Sequence, residues 1–173
     1  MLAAVCAVTA TSGPALARPP DLSNGTAALT VWQRSVLLHA TRQFRDVKNA
    51  IAAGYLPTTQ CVPGMGLHYV QRSLAADTNI DPTLPDILIY EPVAGAPVRL
   101  AALEFFRADA DQDLKTDNDR PTLFGIPFNG PMTGHPLPPG QPTMPIHYDL
   151  HVWLYQDNPA GELATDNPNV DCK

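Results

Sequence analysis

Polar and apolar positions alternate most cleanly near the C-terminus. Residues 146–155 read Ile-His-Tyr-Asp-Leu-His-Val-Trp-Leu-Tyr. At a period of two, Ile146, Tyr148, Leu150, Val152 and Leu154 fall on one face. His147, Asp149, His151, Trp153 and Tyr155 fall on the other. The pattern predicts a strand with one face for a core and an imidazole, a carboxylate and an imidazole in a row opposite. Nearer the N-terminus the period changes. Leu29, Trp32, Val36, Ala40, Phe44, Val47 and Ile51 recur at steps of three and four, which predicts one long amphipathic helix buried along that stripe. Thr26 is placed to cap its start and Gly54 to stop it. His39 and Arg42 lie off the stripe, so His39 reads as a solvated helix residue.

After Gly54 the chain reads as short strands between Pro and Gly punctuation, at 66–70, 86–91, 98–106 and 146–155. There is no second long helical period, which disfavours alternating βαβ units. The expected fold class is therefore α+β: one long N-terminal amphipathic helix packed on a mainly antiparallel β-sheet or open barrel. Residues 120–145 form a long loop rich in Pro and Gly, of the kind that is ordered over a site. His135 lies within it and could close over that site.

Composition narrows the class. The chain has 173 residues, the size of one domain, with 45% hydrophobic and 16% charged residues, so it is globular and not disordered. Net charge is −6, and no run of Lys or Arg supplies a basic patch for nucleic acid. Residues 2–10 are apolar, and Ala15-Leu16-Ala17 matches a signal-peptidase pattern. The expected organisation is a signal peptide at 1–17 and a single globular domain at 18–173. The basic segment that usually opens such signals is missing, which points to a truncated start. Ser12-Gly13-Pro14 interrupts the apolar run well short of the ~20 residues a transmembrane anchor needs. Cys6 sits in a poor lipobox. The expected location is secreted or extracytoplasmic.

Removal of such a signal leaves Cys61 and Cys172, and an even pair in an exported chain is most simply a disulfide. It would tie the C-terminus to the segment before His68 and close a loop of about 100 residues, worth roughly 4–5 kcal/mol by chain entropy.

The chemistry centres on four residues besides Asp149. Glu104 lies inside Leu-Ala-Ala-Leu-Glu-Phe-Phe at 100–106, where Leu103 and Phe105 would face the core and Ala102 and Phe106 share the Glu104 face. A carboxylate there either meets water or is buried with a partner, since burying it alone costs several kcal/mol. His68 opens a strand behind Gly64 and Gly66, which permit a close backbone approach. His147 and His151 are four residues apart, roughly 13 Å along a straight strand, too far to share one ion. Asp149 with one of them is the easier pair. A bulge, two separate sites or a helical segment are the ways around this. The expected site is mononuclear, with His68, His147, His151 and Glu104 as metal ligands and Glu104 and Asp149 as acid–base, orienting or ligating carboxylates. An N/O donor set suits zinc, copper, iron or manganese alike. Hydrolytic, oxidative and lyase chemistry remain open, as does a non-catalytic protein that binds metal or a small ligand. A third reading gives the histidines only hydrogen-bonding roles.

Asp109, Asp111, Asp113 and Asp117 match positions 1, 3, 5 and 9 of a calcium loop, and Asp119 extends the run. Leu114 replaces the required Gly and Arg120 the bidentate Glu, so this is no EF-hand; the expectation is a solvated acidic turn.

The strings at 62–69, 123–125, 130–132 and 147–154, with the Asn-Pro-x-Val-x-Cys ending at Cys172, resemble a family of exported bacterial hypothetical proteins with a His-Tyr-Asp-Leu-His-Val-Trp motif. The resemblance implies export and carries over no catalytic role. In architecture alone, a His-lined strand face is also similar to cupins, whose His-x-His and Gly-rich motifs are absent here.

Overall fold

A computed structural model describes residues 28–134 and 143–173. The expected signal peptide, the Thr26 cap and His135 lie outside the described residues. Six strands form one sheet in the order β1-β2-β3-β4-β8-β7: β1 (Leu56–Val62), β2 (Gly66–Val70), β3 (Ile87–Val93), β4 (Ala96–Ala108), β7 (Asn129–Met132) and β8 (His147–Val152). Every pairing is antiparallel, so the sheet grows by hairpins from β1 to β4 and then receives β8 and β7 on its far side. A two-stranded ribbon, β5 (Thr122–Leu123) with β6 (Ile126–Pro127), lies in the Pro-rich segment, which therefore carries three short strands that its composition concealed. Pro57 sits in β1, at the sheet edge, where a missing amide donor is tolerated. The α+β class holds, with an open sheet.

The helix expected over 29–51 is divided. α1 (Val31–Thr41) passes into a 3₁₀ turn at Arg42–Arg45 and then α2 (Val47–Ala52). Thr30 caps α1 through a reciprocal capping box with Gln33, and Asp46 caps α2. Gly54 adopts a positive φ of 89° just past α2, as a stop residue should. The buried stripe is shifted from the expected one. Leu37, Thr41, Phe44 and Ala50 are buried, while Trp32 and Ile51 are exposed. The cause is the break itself. At the break Thr41 Oγ1 bonds back to Leu37 O at 2.7 Å and to Tyr155 Oη at 2.8 Å, joining the end of α1 to the segment after β8, and the 3₁₀ turn changes the phase of the repeat before α2.

One sheet face carries the main core. Leu88, Tyr90, Leu103, Phe105, Tyr148, Leu150 and Val152 pack with Leu37, Phe44 and Ala50 from the helices. Tyr90 Oη donates to Phe44 O at 2.6 Å, joining β3 to the 3₁₀ turn. A second, smaller cluster contains Ile89, Ala101, Ala102, Trp153 and Val170. Cys61 and Cys172 are joined (S–S 2.05 Å), and beside them Gly64 N donates to Val170 O and Asn167 N to Gly64 O, so the C-terminal segment is fastened to the β1–β2 turn. No helix among the described residues is long and apolar enough to cross a membrane.

Candidate metal centre

Strand register assembles the site. In β3–β4 pairing Ile87 is opposite Glu104, and Ile89 is opposite Ala102. In β2–β3 pairing His68 is opposite Ile89. In β4–β8 pairing Glu104 is opposite His151, and Phe106 is opposite Asp149. Directly opposed residues share a face. His68, Ile89, Ala102, Glu104, Phe106, His151, Asp149 and His147 therefore stand on one face, with Leu103, Phe105, Leu150 and Val152 on the other. The alternation anticipated for Leu103/Glu104/Phe105 is realised, and that for 146–155 is realised over β8, both faces of which are buried; the strand ends at Val152, and Tyr155, expected on the histidine face, packs with the main core and bonds to Thr41.

β2 must lie tightly on β3 for His68 to reach the centre. Gly66 makes this possible: its φ is 91°, and a Cβ there would stand 2.6 Å from Tyr90 O.

Three donor atoms converge. His68 Nε2 lies 3.4 Å from Glu104 Oε2, and His151 Nε2 lies 3.7 Å from the same oxygen. The three atoms all fall within 4.8 Å of one another. Two ligands each ~2.0–2.1 Å from a tetrahedral ion stand about 3.3–3.4 Å apart, so the spacing suits a shared cation better than direct hydrogen bonds. Glu104 is 4% and His151 1% exposed, yet Glu104 Oε2 and both ring nitrogens of His151 form no hydrogen bond among the described residues. His68 is the most open of the three, with 16% of its side chain exposed.

The electrostatics match. Burial holds the Glu104 carboxyl above its ordinary range; the His151 charge opposes this, and Asp149 and Asp86 add to it. Burial works against protonation of His151, but the Glu104 and Asp149 carboxylates outweigh it and raise its imidazole pKa. The centre thus favours a positive charge between its carboxylates, which a proton or a metal ion can supply.

Asp149 and His147 take different places from those expected. Asp149 Oδ1 faces His151 Nδ1 at 3.7 Å, behind the nitrogen that points to Glu104. That is the place of a carboxylate that orients a ligating imidazole. His147 is not part of the convergent triad. Its Nε2 is 4.0 Å from Asp149 Oδ2, its Nδ1 is 3.1 Å from Pro145 O, and its ring stacks on Phe106. The i, i+4 spacing on a regular strand explains this: the register carries His147 opposite Ala108 while His151 is opposite Glu104. His39 is exposed on α1. Sequence reading passed over Asp86, which is buried at the head of β3 and accepts from Phe106 N at 2.9 Å. Its only signal was a carboxylate immediately before the apolar run Ile87-Leu88-Ile89. Trp153, whose ring stacks at 6.4 Å from that of His151, was assigned to the correct face without a role. Comparison with protein-family models, with curated proteins and with solved structures finds no match to this chain.

Proposed function

We propose that this chain is an exported metalloprotein with one transition-metal ion held by His68, Glu104 and His151, and that the ion serves catalysis. The observation that carries this reading is the convergence of His68 Nε2, Glu104 Oε2 and His151 Nε2 from three strands of one sheet. Two imidazoles and one carboxylate are three protein ligands. Closed structural sites use four, whereas catalytic zinc and non-haem iron sites use three and leave room for water or substrate. His68 is the most exposed ligand, so water or substrate would reach the ion from its side. A bound ion would supply Lewis acidity to a water or substrate oxygen there. Asp149 would hold the His151 ring and raise its basicity. Zinc, copper, iron and manganese all accept this donor set, and hydrolysis, oxidation and lyase chemistry are all consistent with it.

Burial of Glu104 and His151 favours small substrates. It equally supports the second reading, a non-catalytic protein that carries a metal ion or a small ligand. Export is supported by the Ala15-Leu16-Ala17 pattern, the resemblance to exported bacterial proteins and the Cys61–Cys172 bond, which suits an oxidising compartment. The deciding experiment is elemental analysis of the purified mature protein alongside His68→Ala and His151→Ala. Near-stoichiometric metal in the parent and its loss in both variants supports the centre. A metal-free parent whose melting temperature is unmoved by zinc, copper, iron or manganese overturns it. Exchangeable water on the bound ion favours the enzyme; a closed shell favours the carrier.

A further inference from the structure

The segment after β8 does not join the sheet, yet it lies across the face that carries the metal centre. Trp153 N donates to Glu162 O at 2.9 Å and Trp153 Nε1 to Ala164 O at 2.7 Å, which fixes the segment beside His151, whose ring stacks on that of Trp153. Asn129 of β7, opposite Asp149, donates to Thr165 Oγ1 at 3.3 Å. Two residues further on, Asn167 N donates to Gly64 O at 2.8 Å, in the turn between β1 and β2. β7 and β1 are the two edges of the sheet, so residues 165–167 pass from one side of it to the other. Val170 then packs with Ile89, Ala102 and Trp153, and Ile89 is the cross-strand partner of His68. Ile89 and Ala102 are fully buried under this cover.

The far end of the segment is held by few contacts. Gly64 exchanges backbone hydrogen bonds with Asn167 and Val170, bonds that water can replace. The covalent tie is Cys61–Cys172. Both Cys are half-buried, so a reductant reaches their sulfurs from solvent. The pairing of Glu104 with His151 lies instead in the β4–β8 ladder, to which neither Cys belongs. Breaking the bond therefore frees the cover and spares the ladder beneath it.

We propose that residues 162–172 form a strap over the metal centre and that the Cys61–Cys172 bond is its latch: the oxidised protein retains its ion, and the reduced protein opens and exchanges it. This regulation rests on the metal reading above. The reductant is a dithiol. One of its thiolates attacks a sulfur of the bond, and the other Cys leaves as a thiolate. The second thiol of the reductant then attacks the mixed disulfide, closing the reductant's own disulfide and freeing the first Cys. Two electrons and two protons thus pass to Cys61 and Cys172. The strap loosens because its far end regains the conformational freedom that the bond removed.

The test compares the full mature chain, chelator-treated and zinc-loaded, before and after reduction by a phosphine, which supplies the same two electrons without adding thiolate ligands. In the chelator-treated protein, reduction should speed hydrogen exchange at the Asn167 and Val170 amides at least about tenfold and leave β4 and β8 protected. In a Trp32→Phe background Trp153 is the only Trp, and acrylamide should quench its fluorescence more strongly in the reduced form. Loss of zinc to a chelator should accelerate at least about tenfold on reduction, and equally in the Cys61→Ser/Cys172→Ser variant, which has no thiol at the latch. Val170→Ala, with the bond intact, should speed exchange at Asn167 in the same direction. Unchanged exchange at Asn167 both on reduction and in Val170→Ala, or an equal rate of zinc loss from oxidised and reduced protein, overturns the proposal. So does loss of protection throughout β4 and β8, which would make the bond a prop of the whole fold. A parent that binds no metal overturns the metal reading alone; the exchange and quenching results then decide the strap by themselves.

Discussion

Glu104 on β4 and His151 on β8 are direct cross-strand partners, with Oε2 and Nε2 3.7 Å apart in a buried setting. That distance is too long for a hydrogen bond and short enough for both atoms to hold one ion. Removing the carboxylate should therefore separate metal binding from folding. Glu104→Gln keeps the shape and loses the charge. Its melting temperature should no longer respond to added metal, while the chelator-treated form stays folded by circular dichroism. A metal-dependent rise equal to that of the parent would exclude Glu104 as a ligand.

The two histidines of β8 should behave differently. His151→Ala should abolish metal binding. His147→Ala should retain the ion and lose about 1–2 kcal/mol of stability, because its ring is buried against Phe106 and contacts Pro145 O. Metal content and urea midpoints of both variants measure this; equal metal loss in the two would mean that His147 also ligates.

Asp149→Asn should weaken metal affinity about 10–100-fold without abolishing it, the usual effect of losing a carboxylate behind a ligating imidazole. Competition with a chromogenic chelator gives the number. Complete loss of binding would make Asp149 a ligand.

Asp86 should impose a pH dependence on the chelator-treated protein. Burial raises its carboxyl from the ordinary 3.8 to about 6 in the folded chain. Its protonated form is thus the one that folding favours. The stability it lends at low pH is lost as pH rises from about 4 through about 6, and the cost is fully present above that. Asp86→Asn keeps an oxygen for Phe106 N and cannot ionise. It should match the parent near pH 4 and exceed it by about 1–3 kcal/mol at pH 7.5 in denaturant melts. A constant difference across that range would mean that Asp86 does not titrate there.

The Cys61–Cys172 bond should appear as a linked peptide in non-reducing mass spectrometry. The double Cys→Ser variant should lose roughly 4–5 kcal/mol, the chain-entropy value for a loop of about 100 residues. Free thiols in protein collected from an oxidising compartment would contradict the pairing.

By itself, the sequence determined the elements whose signal is local. Side-chain direction in a strand repeats every two residues, so the two faces of 147–152 and the inward Leu103 and Phe105 could be read without knowing any neighbour. Gly54 as a helix stop and Gly66 as a point of close approach come from backbone freedom, also a local property. The pairing of Cys61 with Cys172 could be read because only two Cys remain after the expected cleavage. Tertiary structure decided everything that depends on register. Only the pairing of β4 with β8 places Glu104 opposite His151, and only that of β2 with β3 carries His68 to them. It selected His151 over His147 and set Asp149 behind the chosen ring. It split the helix after Thr41, where that residue bonds to Tyr155 more than a hundred residues away and Asp46 caps a second helix, against the continuity of the apolar repeat. It also buried Asp109 within a run that reads as solvated. Strand register and burial arise from contacts between segments distant in sequence, so no local pattern contains them.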